Sequence, residues 1–161
     1  MYGVASFDLR VLCLAGVIPV RDIMTVNVKT AHPDAAVIEV IRKMTKFDMG
    51  SVVIIDSAKR PVGIITERDI LRKVVEPRLP VDIVTALEVM SHPLVSISPD
   101  ASVEQCAKLM GDKRIKKLPV VEGNKLLGIV TSMDLVRTEP KMIAELGDLI
   151  CPYYHVKKSK K

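Results

Sequence analysis

Four apolar residues, Val37, Val40, Ile41 and Met44, fall at i, i+3, i+4 and i+7 among polar neighbours. That spacing makes one apolar stripe of an amphipathic helix. The Pro33-Asp34 pair just upstream signals its start. The period then changes. Ser51-Val52-Val53-Ile54-Ile55 and Val62-Gly63-Ile64-Ile65 flank a polar turn over residues 56–61 and read as a hairpin of two short β-branched strands. A short extended piece over residues 26–30 precedes the first helix, and a second helix is expected to start near Thr66. The unit is β-α-β-β-α.

The same pattern then returns. Val103, Cys106, Ala107 and Met110 repeat the helical stripe, which makes Cys106 a packing residue before it is a reactive one. Leu118-Pro119-Val120-Val121, a turn at Glu122-Gly123-Asn124-Lys125 and Leu126-Leu127-Gly128-Ile129-Val130 repeat the hairpin, with glycine-containing turn chemistry between the strands. An extended piece over residues 94–98 comes first and a helix starting near Thr131 comes last. Met24 answers to Met90, Pro33-Asp34-Ala35 to Pro99-Asp100-Ala101, and Met44 to Met110, each 66 residues on. After a one-residue gap in a surface turn, Gly63-Ile64-Ile65-Thr66-Glu67-Arg68-Asp69 faces Gly128-Ile129-Val130-Thr131-Ser132-Met133-Asp134 at an offset of 65. Two copies of one unit imply an α/β (α+β) protein with pseudo-twofold symmetry and paired sites. The expected organisation is an N-terminal segment 1–19, a first repeat 20–76, a linker 77–89, a second repeat 90–140, and a C-terminal helix and basic tail 141–161.

Composition narrows the picture. A chain of 161 residues buries roughly 68–70% of its unfolded surface, enough for a substantial core. The 48% of hydrophobic residues include only three Tyr and two Phe, so the core is aliphatic, and the stacked aromatic platform of a single-strand nucleic-acid binder is disfavoured. The net charge of +5 is partly in the tail, at Lys157, Lys158, Lys160 and Lys161, which reads as a solvated end or as a polyanion or membrane-surface contact. A second cluster, Lys113-Arg114-Ile115-Lys116-Lys117, runs into an apolar strand, so its charges cannot all face open solvent. Cys13, Cys106 and Cys151 are too few and too scattered for a disulfide framework and suit a reducing cytoplasm. Cys151 and His155 alone do not make a zinc site. The apolar stretch 11–20, interrupted by Pro19 and flanked by Asp8 and Arg10, reads as a packing segment rather than a signal-peptide core. No P-loop, G-x-G-x-x-G, H-E-x-x-H or nucleophile elbow is present, and His32, His92 and His155 stand apart from any nucleophile pattern, so no catalysis is expected.

The candidate chemistry is at two strand-to-helix junctions. Thr66-Glu67-Arg68-Asp69 and Thr131-Ser132-Met133-Asp134 each place Thr and Asp three apart. One reading is a capping box, in which the two side chains satisfy orphan amides of the first helical turn. The other is a ligand site: the helix start favours phosphate, the Thr hydroxyl can donate to it, and a carboxylate can accept two hydrogen bonds from a ribose diol. Gly63 and Gly128 remove a side chain from the strand before each motif, which would let a flat ring approach the backbone.

Residues 20–137 resemble a tandem pair of CBS domains, the regulatory module first noted in cystathionine β-synthase. The resemblance rests on the Pro-Asp-Ala helix starts, the strand Lys117-Leu118-Pro119-Val120-Val121 and the duplicated glycine-hydrophobic-hydrophobic-Thr-x-x-Asp segments. It implies two repeats packed sheet to sheet, with an adenosyl ligand (AMP, ADP, ATP or S-adenosylmethionine) in clefts between them. Carried over residue by residue, one cleft joins Ile64, Thr66, Arg68 and Asp69 to Leu94, Val95, Ile115, Lys116 and Lys117. The other joins Ile129, Thr131 and Asp134 to Val28, Lys29, Met49, Gly50 and Ser51. Lys116 and Lys117 stand where phosphate-contacting basic residues sit in related proteins and face Gly50 and Ser51 in the first copy. The cleft of Asp69 is therefore expected to be the better phosphate site. Val53 departs from the pattern, standing where the second copy has Pro119.

The expected function is adenine-nucleotide sensing in the cytoplasm, without catalysis, by a homodimer of the kind such pairs usually form. The alternatives are a nucleic-acid-associated protein using Lys113 to Lys117 and the lysine tail, or a regulatory subunit of a separate enzyme or transporter. The folds that often carry such pairs need far more chain than the roughly 20 residues on either side of this one, so any effector is expected to be another polypeptide.

Overall fold

The structure, a computed structural model, describes residues 17–138. Cys13, Cys151, His155, the lysine tail and the expected C-terminal helix lie outside the described residues. The first repeat contains β1 (Thr30–Ala31), α1 (Val37–Phe47), β2 (Ser51–Ile55), β3 (Pro61–Thr66) and α2 (Glu67–Ile70), which runs on as a π-helical turn, Leu71–Val75. A short helix, α3 (Ala86–Val89), follows, and then α4 (Val103–Lys113), β4 (Lys117–Glu122), β5 (Lys125–Thr131) and α5 (Ser132–Thr138).

Both amphipathic helices form where the spacing places them. Val37, Val40 and Met44 of α1 are buried, as are Val103, Cys106, Ala107 and Met110 of α4. Burial pushes the Cys106 thiol up to about 12, so it is a packing group. Ser102 and Gln105 close a capping box at α4, whereas Ala36 at the equivalent place caps α1 without a side-chain bond. The helices end alike, on Asp48 and Arg114 in the left-handed conformation. The hairpins also form: β2 pairs antiparallel with β3, and β4 with β5 through a turn whose Gly123 has φ +56.

The extended pieces ahead of each helix are shorter than expected. In the first repeat only Thr30 and Ala31 pair with β2, in parallel; in the second, Ile97 makes a single bridge to Val120. Pro119 accounts for the difference between the copies. The Val53 amide donates to the Lys29 carbonyl at 3.3 Å, a rung that Pro119, lacking an N–H, cannot make.

The two cores do not coincide with the two sequence repeats. Val20, with Ile23 and Met24 partly buried, packs into the core of α4, β4, β5 and α5. Val84, Ala86, Val89 and Met90 pack into the core of α1, β2, β3 and α2. Residues 77–89, expected as a linker, thus supply core side chains to the first repeat. Each repeat's leading segment crosses to the other repeat and is pinned by matching bonds. The Val20 amide donates to Ala101 and the Ala86 amide to Ala35, both at 2.8 Å; the Val103 amide donates to Ile18 and the Val37 amide to Val84. An Arg21–Asp100 ion pair adds to the first crossing. These paired bonds carry the pseudo-twofold symmetry. No helix among the described residues is long and apolar enough to cross a membrane.

Candidate functional site

Both Thr-x-x-Asp segments cap their helices. The Thr66 amide donates to Asp69 Oδ2 at 2.8 Å, the Thr66 hydroxyl donates to the same oxygen at 2.6 Å, and the Asp69 amide returns a bond to Thr66 Oγ1 at 3.2 Å. Thr131 and Asp134 repeat the arrangement at 2.8, 2.7 and 3.3 Å. The capping reading therefore holds at both junctions. Each Thr hydroxyl proton is committed to its carboxylate, so donation to a phosphate requires the cap to open.

What distinguishes the two sites is the second carboxylate oxygen. Asp69 Oδ1 accepts from the Ser91 hydroxyl at 2.9 Å and lies 3.1 Å from the Lys73 ammonium, which also donates to the Val89 carbonyl at 2.7 Å. The Asp69 side chain is only 13% exposed. Burial works to raise its pKa, but the hydrogen bonds from Thr66, Lys73 and Ser91 outweigh it and hold the carboxyl below the ordinary value. Asp134 Oδ1 has no hydrogen-bond partner among the described residues. The positions equivalent to Ser91 and Lys73 are Thr25 and Thr138. Thr138 turns back on its own helix, donating to the Asp134 carbonyl at 2.8 Å.

The crossing segments reach both sites through the backbone. Ile64 exchanges bonds with Ser91, and Ile129 with Thr25. Residues 90–91 thus lie beside Ile64, Thr66 and Asp69, and residues 24–25 beside Ile129, Thr131 and Asp134. This placement corrects the expected role of the glycines. The space beside Gly63 is filled by the Met90 side chain, and a Cβ on Gly128 would come within 2.6 Å of Met24 Sδ. The glycines admit a methionine from the crossing segment where a flat ring was expected.

The remaining expected residues are dispersed. Lys117 starts β4 opposite Thr131, yet its ammonium reaches the first repeat: a Cβ on Gly50 would lie 2.5 Å from Lys117 Nζ and 2.8 Å from Glu67 Oε2. Gly50 leaves the room in which this cation and anion approach. Burial lowers the Lys117 pKa and the Glu67 charge opposes the shift, with a net fall. Lys116 is exposed and its carbonyl accepts from the Ser132 amide, as the Gly50 carbonyl accepts from Glu67. Ile115 and Val95 pack on the second core, Met49 packs on the first, and Leu94 is half-buried. Ser51 is buried opposite Thr66 within the hairpin. Lys29 lies over the Phe47 ring at 4.5 Å, Val28 sits in a tight turn on the Val26 carbonyl, and Arg68 is exposed on α2. A groove of about 690 Å³ lined by Ile41, Leu71 and Val75 runs along α1 as far as Gly50 and Glu67.

Ser91, Lys73, Glu67 and the two methionines were missed by reading the sequence. Lys73 had a signal, four residues after Asp69 on one helix face. Met24 and Met90 were visible as a matched pair, but nothing in a linear sequence says that each crosses to the other copy.

Comparison with known proteins agrees with this geometry. The CBS domain family matches residues 20–76 and 86–141. An uncharacterized protein of Methanopyrus kandleri is 39% identical over 132 residues, which are 81% of this chain and 67% of the relative. The CBS domain-containing protein YhcV of Bacillus subtilis is 36% identical over 72% of this chain and 81% of its own length. Among solved structures, a conserved CBS domain protein of Thermoplasma acidophilum superposes with a TM-score of 0.76 at 25% identity, over 83% of this chain and 74% of that one.

Proposed function

The chain belongs to the CBS-domain family, and on that premise we propose that it is a regulatory module that binds an adenosyl ligand between its repeats and performs no catalysis. One observation carries the reading: in each Thr-x-x-Asp, Oδ2 serves the helix cap while Oδ1 faces away from it, and at Asp69 that oxygen already holds a hydroxyl from the opposite repeat, Ser91 Oγ at 2.9 Å. A ribose hydroxyl is the same kind of donor. In this reading the aspartate of an open Thr-x-x-Asp cleft holds ribose, and the half-buried residues Ile64 and Leu94 in one cleft, and Ile129 and Val28 in the other, line the space for adenine. AMP, ADP, ATP and S-adenosylmethionine all present the required diol.

Signalling follows from the crossed leaders. A ligand held between Asp134 and residues 24–25 bonds to both repeats, so it favours whichever arrangement keeps them together, and a partner polypeptide that prefers that arrangement feels the ligand. The exposed Leu71 and Val75 beside the α1 groove favour assembly as a homodimer, and a cytoplasmic setting belongs to the same proposal. The nucleic-acid reading is weakened because the basic run is divided: Lys113, Arg114 and Lys116 are exposed, but Lys117 turns inward towards Glu67.

Calorimetric titration of the protein with AMP, ADP, ATP and S-adenosylmethionine tests the reading. Saturable heat with at least one of them supports it. No heat with any, together with RNA or DNA binding that weakens steeply with salt, would replace it with the nucleic-acid reading.

A further inference from the structure

The two Thr-x-x-Asp sites share one cap geometry and differ in what lies on the outer carboxylate oxygen. At Asp69 that oxygen is held by the Ser91 hydroxyl at 2.9 Å and the Lys73 ammonium at 3.1 Å. Lys73 is anchored in turn by the Val89 carbonyl at 2.7 Å, and Ser91 by its two backbone bonds with Ile64. Val89 and Ser91 both belong to the segment that crosses from the second repeat. At Asp134 the equivalent positions carry Thr25 and Thr138; Thr138 bonds to its own helix, and no group among the described residues holds Oδ1. A ribose diol must displace a cation and a hydroxyl from one carboxylate and, among the described residues, nothing from the other.

We propose that Lys73 and Ser91 form an internal latch that closes the Asp69 cleft, so that the adenosyl ligand enters the Asp134 cleft and the pair binds one ligand per chain. This rests on the adenosyl-binding reading and reverses the ranking expected from the lysines of the second repeat. Lys117, counted towards the Asp69 cleft by its position, is already opposed by Glu67 over Gly50. The latch has a second consequence. Because it ties α2 and the π-helical turn to residues 89–91, the crossing on the Asp69 side has a side-chain link to its carboxylate without ligand, while residues 24–25 on the Asp134 side, held by backbone bonds, gain such a link when ligand arrives.

Calorimetry with AMP, on wild type and on Lys73→Met/Ser91→Ala, reads the latch directly. The expected stoichiometry is one AMP per chain in wild type and two in the double variant. Asp134→Asn should weaken AMP binding to wild type by about tenfold or more. If the double variant folds poorly, Thr138→Lys supplies the converse, because it places an ammonium four residues from Asp134; it should weaken AMP binding several-fold, as expected of a latch built at the open site. Two equal sites in wild type, or unchanged AMP affinity in Thr138→Lys, would overturn the latch while leaving adenosyl binding intact. Absence of AMP binding in every variant would overturn both. A ligand-free measurement separates the two failures: the Ser91 amide should exchange with solvent more slowly than the Thr25 amide in wild type, and the difference should vanish in Lys73→Met/Ser91→Ala. Equal exchange in wild type would show that no latch exists.

Discussion

Asp69 shows how a largely buried carboxylate at a helix cap contributes to stability. Its folded pKa lies below the ordinary carboxylate value, so the stability it contributes is present above pH of about 4 and is lost as pH falls through the depressed folded value. An acid titration of stability should therefore fall less steeply below pH of about 4 in Asp69→Asn than in wild type; equal slopes would mean that the capped carboxylate contributes nothing. The two glycines make a second residue-level test. The atoms nearest a Cβ on Gly63 belong to the Met90 side chain, which can shift, whereas those nearest a Cβ on Gly128 include the Thr25 carbonyl at 2.9 Å, which cannot shift without breaking the crossing. Gly128→Ala should cost about 1–3 kcal/mol in denaturant melts and Gly63→Ala less. The sequence marked both glycines as special, but it could not identify what approaches them, because the approaching methionines are 27 and 104 residues away in the chain.

At the scale of elements, what could be read was what local physics determines. The helical stripes of α1 and α4 and both hairpins follow from spacing and turn chemistry, and they appear where expected. The Thr-x-x-Asp segments were legible as caps for the same reason. β1 and its counterpart were not, since two residues of parallel pairing leave no periodic trace, and their unequal lengths depend on one amide. Val53→Pro tests that account. It removes the bond to the Lys29 carbonyl, so β1 should lose protection from amide exchange at a cost of about 0.5–1.5 kcal/mol, while the hairpin to β3 persists, as it does at Pro119. Collapse of the whole repeat would show that the rung is not the difference between the copies.

At the scale of the molecule, the duplicated sequence predicted two matched halves, and they are present, but each half is completed by a segment from the other. A register count cannot reveal such a crossing, because the leading segments keep their place in the repeat whichever core they enter. The crossing ties the two repeats together, and in the proposed reading it is the route by which a ligand acts on both. The exposed apolar residues Leu71, at 60%, and Val75, at 54%, flank the α1 groove, and in the proposed homodimer they are the residues to bury against a second copy. Leu71→Lys/Val75→Glu should shift the mass in light scattering from dimer to monomer without lowering the melting temperature by more than a few degrees.

The central claim is that an aspartate at a helix cap holds a ribose, and the comparison of AMP with 2′-deoxy-AMP in one calorimetric titration series tests it most directly. The account predicts that AMP binds wild type about tenfold or more tightly than 2′-deoxy-AMP and that Asp134→Asn removes most of this preference. Equal affinity for the two nucleotides in wild type, or a preference that survives Asp134→Asn, would contradict it.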